Sequence, residues 1–208
     1  MEIISMQVGP LGVNCYLVVS EEKNAAVIDP GGNAEQILRY LSVNGLTVKK
    51  ILLTHGHIDH VGAVKALKEA TGADICIHSL DHNMLLDAEE NLAALFEMEY
   101  CPVAADVLLT DGDRIVVDEI SFTVMHTPGH TPGSSVFLTE QTMFSGDTLF
   151  CRSVGRTDFP GGNYRELLNS LKKLNALTGD YTVLSGHGEK TTLDWERSEN
   201  VYFQMLEC

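Results

Sequence analysis

The chain has 208 residues, 44% hydrophobic and 21% charged, which suits a single globular domain over residues 1–208 with a substantial buried core. Fourteen Lys and Arg against 29 Asp and Glu leave a net charge of −15, which argues against nucleic-acid backbones and anionic membranes as partners. Met1-Glu2-Ile3-Ile4 lacks the basic and apolar regions of an export signal, no apolar run is long enough to cross a bilayer, and the five Cys (Cys15, Cys76, Cys101, Cys151 and Cys208) contain no C-x₂-C pair, so free thiols in a reducing cytoplasm are expected.

Apolar, often β-branched runs bounded by Gly, Asp or Pro predict strands at Ile3–Gln7, Asn14–Val19, Ala25–Ile28, Lys50–Leu53 and Ile75–His78. Further strands are predicted at Arg114–Val117, Ile120–His126, Ser134–Leu138, Thr142–Ser145 and Thr182–Ser185. Helical periodicity covers Ala34–Asn44, Val61–Thr71 and Tyr164–Ala176, and in the last of these Leu167, Leu168, Leu171 and Leu174 form a stripe read as core. Asp81–Met98 also reads helical. Its Met84, Leu85, Leu86, Leu92, Leu95 and Phe96 are expected in the core rather than along a substrate cleft. Glu199-Asn200-Val201-Tyr202-Phe203-Gln204 resembles a protease tag site and is read as native sequence. These patterns alone give a mixed α and β chain.

The chemistry concentrates in Thr54-His55-Gly56-His57-Ile58-Asp59-His60, directly after the apolar run Ile51-Leu52-Leu53. Neutral imidazole and carboxylate suit zinc and other first-row metals. If the segment were extended, alternation would turn His55, His57 and Asp59 one way and His60 another. Three distant residues sit in similar settings, each after a predicted strand and beside glycine: His130 in His126-Thr127-Pro128-Gly129-His130, Asp147 in Ser145-Gly146-Asp147, and His187 in Ser185-Gly186-His187-Gly188. The seven candidates are too many for one tetrahedral ion. They fit two ions that share one carboxylate and leave room for a water.

This string, with single His, Asp and His at these later spacings, resembles the metallo-β-lactamase fold superfamily, and within it the glyoxalase II-like hydrolases (hydroxyacylglutathione hydrolases) in a short single-domain form. The matching stretches are Asn14-Cys15-Tyr16-Leu17, Val27 to Gly32, Thr54 to Gly62, His126 to Gly133, Ser145 to Phe150, Gly155 to Gly162 and Gly186-His187-Gly188. The resemblance implies an α/β fold, the four-layer αβ/βα sandwich, with the site on loops along one edge. It implies that His55, His57 and His130 hold a first metal, that Asp59, His60 and His187 hold a second, and that Asp147 bridges them. The cofactors so implied are two divalent ions, zinc first, with iron or manganese as alternatives. The implied reaction is attack of a hydroxide shared by the ions on a small-molecule thioester such as S-lactoylglutathione, with Asp59 also orienting the nucleophile.

The remaining polar residues carry smaller expectations. Asp29 is either a turn former before Pro30-Gly31-Gly32 or an acceptor for a metal-bound imidazole. His126 is read as a strand-end residue, and His78 and His82 as structural. An Arg156–Asp158 bond is expected to hold its loop, and Cys151 to be a packed thiol. Only twenty-one residues follow His187, so the helical extension that supplies glutathione contacts in two-domain relatives is not expected. Arg152, Arg156 and Lys190, with Arg165 behind them, are the candidates to touch substrate instead. The competing function is a persulfide dioxygenase of the same fold, a mononuclear iron oxidoreductase using two His and one Asp. A metal-binding relic is disfavoured by the intact ligand set. A β-lactamase is disfavoured by the missing export signal and by Asp147, a bridging carboxylate those enzymes lack.

Overall fold

In the computed structural model, which describes residues 1–207, the strand β2 (Val13–Val19) is buried along its whole length. Alternation sends Cys15, Leu17 and Val19 into one apolar cluster and Tyr16 and Val18 into another. A strand apolar on both faces requires a layer on each side. Its sheet runs β1 (Glu2–Val8), β2, β3 (Asn24–Ile28), β4 (Thr47–Leu53), β5 (Asp74–His78) and β6 (Val107–Leu109) in spatial order. The first three pair antiparallel, and β3 through β6 pair parallel. A second six-stranded sheet is ordered β14 (Thr191–Thr192), β13 (Thr182–Ser185), β10 (Thr142–Gly146), β9 (Ser135–Thr139), β8 (Ile120–His126) and β7 (Arg114–Val117). A small ribbon joins β11 (Leu149–Phe150) to β12 (Ser153–Val154).

Three apolar clusters hold the layers together. Ile37 and Leu41 of α1 (Ala34–Asn44), Val61 of α2 (Ile58–Val61) and Val64 and Leu67 of α3 (Val64–Thr71) cover the outer face of the first sheet. Between the sheets, Ile28 and Leu52 share a cluster with Phe122, Phe137 and Phe144. On the far side, Leu167, Leu171 and Leu174 of α4 (Tyr164–Asn175) pack with Val136, Met143 and Val183, joined by Leu193 of α5 (Leu193–Glu199) and Phe203 of α6 (Val201–Gln204). The order helix, sheet, sheet, helix is the expected four-layer αβ/βα sandwich. The core reading of the α4 stripe holds for Leu167, Leu171 and Leu174, which are fully buried at i, i+4 and i+7, while Leu168 is partly buried.

All ten predicted strands are present, most within one residue at each end, although β4 starts three residues earlier than expected. Two helical expectations change. Val61–Thr71 is interrupted at Gly62 and Ala63, where the Ala63 amide donates to Pro30 O at 2.9 Å instead of continuing α2. Asp81–Met98 is not an α-helix but a 3₁₀ segment, Ser79–Leu85, followed by turns. Its polar side chains compete with the helical backbone: Asn91 bonds Met84 O and the Ala93 amide, and Leu92 and Glu97 adopt left-handed φ values of 70° and 53°. The expected burial therefore splits. Met84, Leu85 and Leu92 are buried, whereas Leu86, Leu95 and Phe96 are exposed.

The segment Glu199–Gln204 behaves as part of the fold. Asn200 is fully buried and caps α6 by accepting from the Tyr202 amide at 3.0 Å, and Phe203 is 2% exposed. Cys15, Cys76, Cys101 and Cys151 are unpaired, and Cys208 lies outside the described residues. No helix among the described residues is long and apolar enough to cross a membrane. Phe203→Ala is expected to destabilise the protein by about 3 kcal/mol through lost burial and a residual cavity. Val201→Ala, at a half-exposed position of the same helix, is expected to change stability by less than about 0.5 kcal/mol. Paired denaturant unfolding curves check both values.

Candidate metal centre

The seven candidates converge at one edge of the sandwich. β3 and β4 run parallel in the first sheet, as do β10 and β13 in the second, and the segments that follow all four end there. His55 and His57 follow β4, Asp147 follows β10, His187 follows β13, and His130 lies in the connection from β8 to β9. Asp59 and His60 lie in α2 rather than in an extended segment, so the strand-like alternation expected for them does not apply. Three groups form, with ligand atoms in each lying within 4.8 Å of one another: His55, His57 and His130; Asp59, His60 and His187; and His55, His60 and Asp147. The third straddles the other two. Asp147 Oδ1 lies 3.3 Å from His60 Nε2, while Oδ2 lies 3.6 Å from His130 Nε2 and 3.8 Å from His187 Nε2.

Hydrogen bonds on the far side of each ring decide which nitrogen faces inward. Asp29, at φ 49° and 2% exposed, serves both as turn residue and as acceptor. Its Oδ1 accepts from the Thr54 amide at 2.8 Å, and its Oδ2 accepts from Thr54 Oγ1 at 2.7 Å and from His60 Nδ1 at 3.0 Å. With its proton spent on Asp29, Thr54 Oγ1 accepts from His55 Nδ1 at 3.1 Å. His130 Nδ1 donates to Arg156 O at 2.8 Å. These partners, which fix the tautomers, leave the Nε2 lone pairs of His55, His60 and His130 directed into the cluster. His57 Nδ1 lies 2.9 Å from His130 Nε2.

The donor set fits metal ions. His55 Nε2, His57 Nε2, His60 Nε2 and Asp147 Oδ1 are buried and find no hydrogen-bond partner among the described residues. Leaving such groups unsatisfied costs about 1–3 kcal/mol each, and a divalent cation satisfies several at once. Burial, reinforced by neighbouring imidazoles, holds His55 well below its usual pKa and pushes His57 down to about 3, so both rings are neutral and able to ligate. Burial would also lower His60, but Asp147, Asp59 and Asp29 outweigh it and hold the ring above its usual value. Burial would raise Asp59 and Asp147, yet the charge of His60, joined by a hydrogen bond from His187 to Asp59, keeps both carboxyls below the ordinary range. A site that recruits a proton to balance its carboxylates exchanges that proton for a metal cation, so acid weakens metal binding.

Close backbone approach is built in. A Cβ at Gly186 would fall onto Asp147 Oδ1 and His60 Cε1, so only glycine lets the His187 loop lie against the bridge. That loop is anchored from the other sheet by Asn14, whose Nδ2 donates to Ser185 O and Gly188 O at 3.0 Å, and by Tyr16 Oη, which donates to Ser185 O at 2.7 Å.

Asp81 escaped sequence reasoning. It is fully buried and joins the two loops that carry the first group. Its Oδ2 accepts from the Gly56 amide at 3.1 Å and from Thr131 Oγ1 at 2.6 Å, and its Oδ1 accepts from the Gly133 amide at 2.6 Å. Gly56 lies between His55 and His57, and Thr131 follows His130. No local spacing signals this role; the glycine-rich loops on either side are the only hint.

A cleft of about 330 Å³ opens beside the cluster, lined by Leu11, Leu92, Phe96 and Phe159 together with His57, Asp59, His130, Asp147, His187 and Arg156. Larger surface hollows exist elsewhere, but none reaches the cluster. Arg156 makes the expected pair with Asp158, through two bonds of 2.7 Å, and lies 3.8 Å over the Phe159 ring. Arg152 lies outside the cleft lining: its guanidinium sits over the Trp195 ring of α5 at 4.9 Å. Lys190 is exposed and also outside the lining. His126 and His78 belong to none of the three ligand groups; their rings stack with centroids 4.0 Å apart, and His126 Nε2 bonds Pro132 O.

The sequence matches the metallo-beta-lactamase superfamily over residues 8–187, and the chain belongs to that superfamily. It is 38% identical over 198 residues to "Hydroxyacylglutathione hydrolase GloC" of Haemophilus influenzae, covering 91% of this chain and 92% of the relative. A crystal structure of "BLEG-1 B3 metallo-beta-lactamase" superposes with a TM-score of 0.92 at 36% identity, covering 97% of this chain and 99% of the other. A di-iron-bound form of TTHA1623 superposes with a TM-score of 0.86 at 38% identity, covering 95% of this chain and 98% of the other.

Asp81→Asn keeps the size of the side chain but turns an amide NH₂ toward groups that themselves donate. The variant is expected to fold and to bind the ion beside His55, His57 and His130 about 10–100-fold more weakly. Chelator competition read against circular dichroism checks this, and an unchanged affinity contradicts the role.

Proposed function

We propose that this member of the metallo-β-lactamase superfamily is a dinuclear metal-dependent thioester hydrolase of the glyoxalase II type, with S-lactoylglutathione as its reference substrate. What carries the reading is the position of Asp147 between two separate three-residue groups, one carboxylate oxygen toward His60 and the other toward His130 and His187. His55, His57 and His130 would hold one ion, Asp59, His60 and His187 the other, and Asp147 both. Bound divalent ions would supply Lewis acidity and bring the pKa of water from 15.7 to about 7. The relative named a hydroxyacylglutathione hydrolase supports the thioester substrate, and the di-iron structure supports iron beside zinc as the metal.

The chain's own residues supply the rest. Asp59 lines the cleft, and its carboxyl, held below the usual range, is ionised at neutral pH and able to orient the attacking water. Asp29 and Thr54 hold the imidazoles in their tautomers, so the site is ordered before substrate arrives. The departing thiol has an ordinary pKa near about 8.5, so departure as thiolate needs no separate acid. Arg156 faces the cleft but is paired with Asp158, which makes it a wall of the site rather than a free anion receptor. Arg152 and Lys190 lie outside the cleft lining.

The structure named as a B3 metallo-β-lactamase supports a second reading, ring opening of a β-lactam. A substrate panel separates the readings. Turnover of S-D-lactoylglutathione and of a simpler lactoyl thioester is expected on the metal-loaded protein. Hydrolysis of a cephalosporin without thioester turnover, or oxygen uptake on glutathione persulfide, overturns the proposal.

Asp147→Ala is expected to leave the fold intact by circular dichroism and to lower thioester turnover by more than about 100-fold, because it removes the ligand common to both groups. A folded variant with near-normal turnover and both metals contradicts the bridging role.

A further inference from the structure

We infer that the substrate arm leaving the metal cluster is uncharged and apolar, of about the size of a phenyl or branched alkyl group; this rests on the thioesterase reading. The wall on one side of the cleft is built from Leu11, Leu92, Phe96 and Phe159. Leu11 is 46% and Phe96 40% exposed. Single exposed apolar residues are ordinary, but these come from three separate segments and meet beside the same cluster. The Phe159 ring meets Phe96 at 6.1 Å and His57 at 5.9 Å, both nearly perpendicular, so the wall continues to the first ligand group. This arrangement suits burial of an aromatic or aliphatic arm immediately beside the reacting carbonyl.

The charges point the same way. Asp59 and Asp147 line the cleft, and Arg156 is the one Lys or Arg in the lining. Two of its donor nitrogens are taken by Asp158, and its flat face lies on Phe159. A carrier such as glutathione brings two carboxylates to a wall whose cation is already balanced, in a protein of net charge −15. Desolvating those carboxylates against leucine and phenylalanine is unfavourable, while an apolar arm gains about 25 cal/mol per Å² of its surface removed from water.

The test compares two thioesters with the same lactoyl group, S-lactoylglutathione and S-lactoyl benzyl mercaptan, on the metal-loaded protein. The benzyl ester is expected to have a kcat/KM at least about tenfold higher. Phe96→Ala, and independently Leu11→Ala, should shrink that ratio several-fold, a change that a purely structural role would not produce because both substrates would then suffer alike. Preference for the glutathione ester, or equal losses on both esters in the variants, overturns the inference. Calorimetric titration with benzyl mercaptan and with glutathione separates this result from failure of the thioesterase reading. If neither ester is turned over, that reading falls, whereas tighter binding of benzyl mercaptan still supports the apolar wall and tighter binding of glutathione overturns it.

Discussion

The buried carboxylate of Asp29 is the constraint on which the centre depends. One side chain accepts from the Thr54 amide, the Thr54 hydroxyl and the His60 ring, and through Thr54 it also sets His55. An imidazole has two nitrogens and one proton when neutral, so a bond at one nitrogen dictates what the other can do. Asp29 and Thr54 take the Nδ1 protons, and the Nε2 lone pairs are left turned inward. The carbonyl of Arg156 does the same for His130 from the opposite side of the sandwich. Asp81 performs the equivalent task for backbone, tying the loop between His55 and His57 to the loop beyond His130. The ligand geometry is thus held by groups behind it, while the ligand atoms themselves are left without protein partners.

The sandwich makes that arrangement affordable. Chain turns that follow β3, β4, β10 and β13 meet at one edge, so residues more than a hundred positions apart become neighbours without a long loop. The two sheets are locked by apolar packing of Ile28 and Leu52 against Phe122, Phe137 and Phe144. Cross-sheet bonds from Asn14 and Tyr16 to the His187 loop, and from the Ser135 amide to Thr54 O, fix the edge itself. The substrate side is less rigidly determined. It is formed by a turn-rich segment and by loops, which is where relatives sharing one metal edge can diverge in what they accept.

Much of this was legible in the sequence, for identifiable reasons. The seven candidate ligands were readable because four lie within six residues and the other three each follow a strand and touch glycine. The strands were readable because their apolar runs are short, β-branched and sharply bounded. The helix expected over Asp81–Met98 was misread because its apolar spacing is helical while Asp81 and Asn91 spend their side chains on tertiary and turn bonds that compete with it. The alternation proposed for His55 to His60 failed at α2, since a single helical turn replaces the strand periodicity there. Asp81 and the stacking of Arg152 on Trp195 were invisible because their partners lie tens of residues away and carry no spacing signal.

The central claim is that two ligand groups around a shared Asp147 make a two-ion centre. Metal analysis of fully loaded, buffer-exchanged protein tests it most directly. Two divalent ions per chain are expected, and fewer after Asp147→Ala substitution. Protein that never holds more than one ion per chain, under loading that saturates it, contradicts a two-ion centre, and iron as that single ion would favour the oxidoreductase alternative.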